Sequence, residues 1–264
     1  MARKRLFNDT VSGPSGKYSY TMRKSLKLYQ VLSREIRTLH TRIPRFCCRE
    51  VLVLGDSHAD VFNHFIFFLR FPFLFFNAKI VQGATASGLE NPHSKTQAYQ
   101  EFSAVLKKYN GKKVILLLGE VDTGFVIWYR AKKYGENVSK MAKLTQDVYK
   151  HFIDEIHKKF DLIVISSPLP TIKDGAAWGA VANARKEVTA TQQERTRLTV
   201  EFNRSIQGHC EYRNIHYINL DQESLGENGL VRVTLMNKDP LNHHYNQTVY
   251  AKMLAERLSA ILTK

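Results

Sequence analysis

Val51-Leu52-Val53-Leu54-Gly55-Asp56-Ser57-His58 is the stretch on which the reading of this chain turns. An unbroken apolar, β-branched run without polar alternation suits a strand covered on both faces of a parallel sheet. Small, polar and ionisable residues follow directly at its carboxyl end. Comparable runs recur downstream, so the expected strands are Glu50–Leu54, Ala78–Gln82, Lys113–Leu118, Asp161–Ser166 and Ile215–Asn219. Helical patterns fall between and after them at Thr96–Tyr109, Val138–Phe160, Thr189–Tyr212 and Asn246–Leu262. In the second of these, Met141, Leu144, Val148, Phe152 and Ile156 mark one face. Strand–helix alternation of this kind predicts a three-layer α/β/α sandwich with a central parallel sheet of about five strands.

Composition agrees with a sizeable core. The chain has 264 residues, 44% hydrophobic and 24% charged, the balance of an ordinary globular protein. Residues 1–19, with Ser-Gly-Pro-Ser-Gly and little apolar content, read as a flexible basic arm. Residues 20–264 read as one domain, opening with an amphipathic helix over 20–40 that carries Leu26, Tyr29, Leu32, Ile36 and Leu39. The apolar segment Val61 to Phe76 is interrupted by Asn63, His64, Arg70 and Pro72, so a buried helix and following loop is expected rather than a membrane span.

The formal charge of +15 favours anionic partners, either an anionic substrate or its carrier. No zinc-finger spacing or aromatic-basic signature accompanies it, so nucleic acid is not the expected partner. Three cysteines (Cys47, Cys48 and Cys210) do not suggest a disulfide framework, and no C-x-x-C pair marks a structural metal. The start Met-Ala-Arg-Lys-Arg lacks the apolar stretch of a secretory leader, and a cytoplasmic location is expected.

In open α/β sheets ligands bind outside the carboxyl ends of the strands. Those ends read Gly55-Asp56-Ser57-His58, then Gly83-Ala84-Thr85-Ala86-Ser87-Gly88, then Gly119-Glu120-Val121-Asp122, then Ser166-Ser167-Pro168. Asp239-Pro240-Leu241-Asn242-His243-His244-Tyr245-Asn246 stands before the last helix. A serine hydroxyl needs a base to become a nucleophile, and His244 or His243 could supply one if an acid orients it. Backbone N–H groups at Ser57 and Gly83 could then hold the oxyanion of an acyl-transfer intermediate.

This order of blocks, with GDS first and a late Asp/His segment, resembles the SGNH (GDSL-type) hydrolase superfamily from Val51 to Asn246. Gly-Asp-Ser-His-Ala also resembles SGNH domains associated with polysaccharide acyl modification. The resemblance implies a flavodoxin-like sandwich, Ser57 as nucleophile, Gly83 as oxyanion donor and the late histidine as base. His244-Tyr245-Asn246 fits the residues that usually follow that histidine, which places His244 ahead of His243, with Asp239 as the orienting acid. It implies an esterase or O-acyltransferase acting on a carbohydrate or glycoconjugate ester, without cofactor or metal.

Two departures stand out. The family's third block reads G-x-N-D, with an asparagine donor where this chain has Val121. Its acid and base are spaced D-x-x-H, but Leu241 lies three residues before His244, and Asp239 five before it. These departures motivate the alternative of a non-catalytic SGNH-fold protein that binds a glycan or a partner. Asp56-x-His58 also allows a metal-dependent phosphoesterase, with Asp122 in its second block. Glu120 and Asp122 could bind substrate hydroxyls or brace loops, and Trp128 and Arg130 could wall a sugar site. Between Pro168 and Asn203, polar residues including Arg185, Lys186 and Arg195 could form a lid or a solvated helix.

Overall fold

In a computed structural model, residues 48–175, 188–239 and 242–262 are described. They belong to a unit running from Phe46 to Lys264. The arm and helix expected before residue 48 lie outside the described residues, as do Arg185 and Lys186.

Five strands form the sheet: β1 (Arg49–Gly55), β2 (Leu74–Ile80), β3 (Lys113–Leu117), β4 (Asp161–Ile165) and β5 (His216–Ile218). All neighbouring pairs are parallel, in the order β2-β1-β3-β4-β5. The helices are α1 (Phe65–Arg70), α2 (Ala98–Lys108), α3 (Ile127–Tyr134), α4 (Val138–His157), α5 (Gln192–Tyr212), α6 (Asp221–Ser224) and α7 (Gln247–Leu262). The predicted three-layer α/β/α sandwich is the observed one.

Successive strand side chains point to opposite faces, and here both faces are covered. Val51, Val53, Ile115, Leu117, Ile163 and Ile165 pack with Phe67 of α1 and with Tyr250, Leu254 and Leu258 of α7. Leu52, Leu54, Val114, Leu116, Leu162 and Val164 pack instead with Phe102 of α2, Phe152 of α4 and Phe202 of α5. Leu52 and Leu54 are completely shielded from solvent. Truncating either to alanine would cost about 2–5 kcal/mol.

One strand starts earlier than expected, and one helix was not expected at all. β2 starts at Leu74, not Ala78, so Leu74-Phe75-Phe76 is strand rather than loop. Short apolar runs fit a helix and a strand equally well, and the break after Arg70 decides between them: α1 ends there, and a turn through Pro72 releases the chain into β2. α3 was not anticipated. It buries Ile127 and Ala131 against Met141, Ala142 and Leu198, a small satellite core away from the sheet. Among the described residues no helix is long and apolar enough to cross a membrane.

The chain leaves β1 for β2 on one side and returns to β3 on the other. The order therefore reverses between β1 and β3, opening a crevice at their carboxyl ends. The Asp56-Ser57-His58 turn and the Gly119–Asp122 segment flank that crevice.

Candidate active site

Gly55 passes β1 into a 3-10 turn, Ser57–Asn63. No side chain is tolerated at Gly55, because a Cβ there would lie 2.6 Å from both Ala59 Cβ and the Leu117 carbonyl oxygen. Asp56 caps the turn: its Oδ1 accepts the His58 backbone N–H at 2.8 Å and lies 3.1 Å from His58 Nδ1. Both residues are buried, while Ser57 between them remains partly exposed.

The second block is held from the third. Asp122 is fully buried, and its carboxylate accepts the N–H groups of Ala86 at 2.6 Å and Ser87 at 3.0 Å. Burial pushes its pKa up to about 6. The Ser87 and Ala86 donors oppose that rise, and the negative charge of Asp56 adds to it. Asp122 thus braces the Gly-rich loop against the end of β3. Within that loop Gly83 adopts φ +68°, a left-handed conformation that favours glycine.

Glu120 is buried near Tyr245, where its charge helps to raise the phenol's pKa, although burial of the phenol is the larger cause. Val121 is half-buried at the start of a wide helical turn, Asp122–Val126. Trp128 donates its indole N–H to the Thr123 carbonyl at 2.7 Å and packs against the satellite core. Arg130 is half-exposed on α3. Arg195 is buried, and its guanidinium donates to the Ile172 carbonyl at 2.7 Å and approaches Asp174 at 3.4 Å, tying the loop after β4 to α5.

The late histidines arrive at the first turn. The His244 ring lies 4.6 Å, centroid to centroid, from the ring of His58, the residue directly after Ser57. His243 lies 5.8 Å from His58 and 4.1 Å from His244. Their backbone is anchored on the loop after β4. Thr171 donates its hydroxyl to the His243 carbonyl, and the Leu169 N–H donates to the Tyr245 hydroxyl at 2.7 Å. Among the described residues no hydrogen bond joins Ser57 Oγ to any of the three imidazoles.

Asn242 was not singled out from the sequence, yet it orients His244. Its Oδ1 accepts the His244 backbone N–H at 3.0 Å and lies 2.9 Å from His244 Nδ1. A backbone N–H can only be met by the amide oxygen, so that oxygen also faces Nδ1, which must then carry the proton. The same logic at Asp56 fixes His58 as the Nδ1–H tautomer. In the neutral form of each ring it is then Nε2 that carries the lone pair. Asp239 is exposed, and its backbone carbonyl accepts the Asn242 N–H at 3.0 Å. An asparagine two residues before a histidine is a local turn signal, but nothing in sequence marks its contact with the ring.

No protein-family model matches the sequence, and no curated protein matches it. Solved structures do match. An acetyl xylan esterase is similar at 14% identity, with a TM-score of 0.51 over 81% of this chain and 99% of that one. A GDSL-like lipase from Bacteroides thetaiotaomicron is similar at 15% identity, with a TM-score of 0.52 over 88% of this chain and 98% of that one. At such identities the likeness establishes the fold alone, a three-layer sandwich shared with these esterase and lipase structures.

Proposed function

We propose that the protein is a serine esterase, with Ser57 attacking an ester carbonyl and His244 as its base. One observation carries this reading: a histidine from the segment before α7 packs 4.6 Å from the residue that follows Ser57. Nothing in the core requires that meeting. The tautomer set by Asn242 supports it, since a general base needs a lone pair on the nitrogen facing the proton it takes. In the forward step His244 Nε2 takes the Ser57 proton as Oγ bonds to the carbonyl carbon. It then returns the proton to the leaving alcohol, and water attacks the acyl-enzyme to release the acid.

The backbone N–H groups of Ser57 and Gly83 are the oxyanion donors in this reading, Asp122 holding the loop that carries the second. Asp239 or Asn242 steadies His244. The fold's occurrence in an acetyl xylan esterase favours an acylated carbohydrate or glycoconjugate as substrate, with a sugar hydroxyl as an alternative acceptor to water.

The test is labelling by a fluorophosphonate probe together with hydrolysis of p-nitrophenyl acetate. Wild type should label at Ser57, Ser57→Ala should not, and His244→Ala should lose about a hundred- to ten-thousandfold in kcat. Equal labelling and turnover in wild type and both variants would remove the serine mechanism. Inert wild type that still binds glycans would favour a non-catalytic binding protein.

A further inference from the structure

Three imidazoles meet beside the Ser57 turn. One ring nitrogen from each of His58, His243 and His244 can be chosen so that all three atoms lie within 4.8 Å of one another. Around a tetrahedral zinc ion with bonds of about 2.0–2.1 Å, ligand nitrogens stand about 3.3 Å apart. Closing the cluster on an ion therefore needs side-chain shifts on the order of an ångström. Metal-bound histidines characteristically hand their other ring N–H to a carboxylate or amide oxygen, which fixes the tautomer. His58 does so to Asp56, and His244 to Asn242.

The scaffold is equally firm. His58 sits buried in the 3-10 turn that follows β1, and the His243 carbonyl is held by Thr171. An all-imidazole set suits zinc, copper, nickel or cobalt and discriminates against magnesium and calcium, which require oxygen ligands. Three protein ligands with an open fourth position are the composition of reactive rather than purely structural zinc sites.

We propose that His58, His243 and His244 bind a divalent transition-metal ion, zinc above all, and that this ion competes with Ser57 for His244. A lone pair engaged with a metal cannot accept the serine proton, so a filled site is an inhibited esterase. The inhibitory half of the proposal rests on His244 being the base; the binding half does not.

The test uses the full chain after chelator treatment, titrated with Co2+ by visible absorption and with Zn2+ by calorimetry. The expected result is one ion per chain, bound equally by wild type and Ser57→Ala. Asn242→Ala should bind about ten- to a hundredfold more weakly, and His58→Ala and His243→Ala more weakly still. His243 is only half-buried, so its variant keeps the test open if His58→Ala fails to fold, as a melting curve will show. Esterase activity should fall as the site fills and return on adding chelator. Absence of saturable uptake, or uptake unchanged in His243→Ala, would overturn the site. Activity that rises with occupancy would overturn the competition. Metal uptake by a metal-free protein that neither labels nor hydrolyses ester would uphold the site and remove the serine reading instead.

Discussion

Position 121 governs how well the proposed reaction can run. Valine offers no donor where the SGNH pattern places an asparagine, and losing one oxyanion donor costs about a hundred- to a thousandfold in rate. Val121 stands at the mouth of the crevice in helical geometry, with φ −62° and ψ −35°. Asparagine lacks the β-branch of valine and adopts that helical conformation without strain. Val121→Asn should therefore raise kcat for p-nitrophenyl acetate, by up to about a hundredfold if its amide reaches the oxyanion. An unchanged or lower kcat with unchanged stability would mean that the oxyanion lies elsewhere. Gly119, two residues earlier, is constrained in another way. It holds φ +119°, and a Cβ there would overlap Ser167 Oγ and come within 3.0 Å of Phe202. Gly119→Ala should cost about 2–4 kcal/mol in denaturant unfolding. Adding Ser167→Ala should recover only part of the loss, because the backbone strain remains.

Between elements, Asn203 of α5 acts as a clasp. Its Oδ1 accepts the Ser167 N–H at 2.9 Å, and its Nδ2 donates to the Ser167 carbonyl at 3.0 Å and to Asp221 of α6 at 2.8 Å. Burial pushes the Asp221 pKa from 3.8 up to about 6, although the Asn203 donor and Arg204 oppose the rise. Folding thus favours the neutral carboxyl. Its contribution is fully present below pH 3.8 and is lost as pH rises through about 6. Asp221→Asn keeps an acceptor for Asn203 without the charge. It should match wild type near pH 4 and exceed it at pH 8, by on the order of 2–3 kcal/mol. Parallel stability–pH curves for the two proteins would show that Asp221 is not perturbed. None of this clasp was legible beforehand, because its partners come from three separate elements. The strands, by contrast, were legible within a few residues, since a buried parallel strand must be an unbroken apolar run. β2 was the exception: an edge strand pairs on one side only, and Leu74-Phe75-Phe76 merges with the apolar residues of α1 before it. α3 stayed hidden because it covers a satellite core, and its Trp128 and Arg130 suited a sugar-site wall and packing beneath a loop equally well.

For the whole molecule, what sequence conveyed best was the placing of chemistry at strand ends. From those ends Ser57, Gly83 and Asp122 could be named as candidates, and sheet order sets the ends of β1 and β3 beside one crevice. The partnership of His58 with the late histidines could not, since only the folded chain brings the β1 turn to the segment before α7. Net charge is the other property that belongs to the entire chain. At +15 the protein should concentrate anionic esters around itself. Such attraction is screened over about 10 Å at 0.1 M salt and about 3 Å at 1 M. For an acetyl ester that also carries a carboxylate or phosphate, kcat/KM should therefore fall several-fold between low and high salt. For neutral p-nitrophenyl acetate it should barely change, because no long-range force is being screened. The ratio of the two salt profiles isolates steering from any general effect of salt on the enzyme. Identical profiles would show that the basic excess serves solvation alone, whereas divergent ones would make a charged acyl acceptor or carrier the class of substrate to screen first.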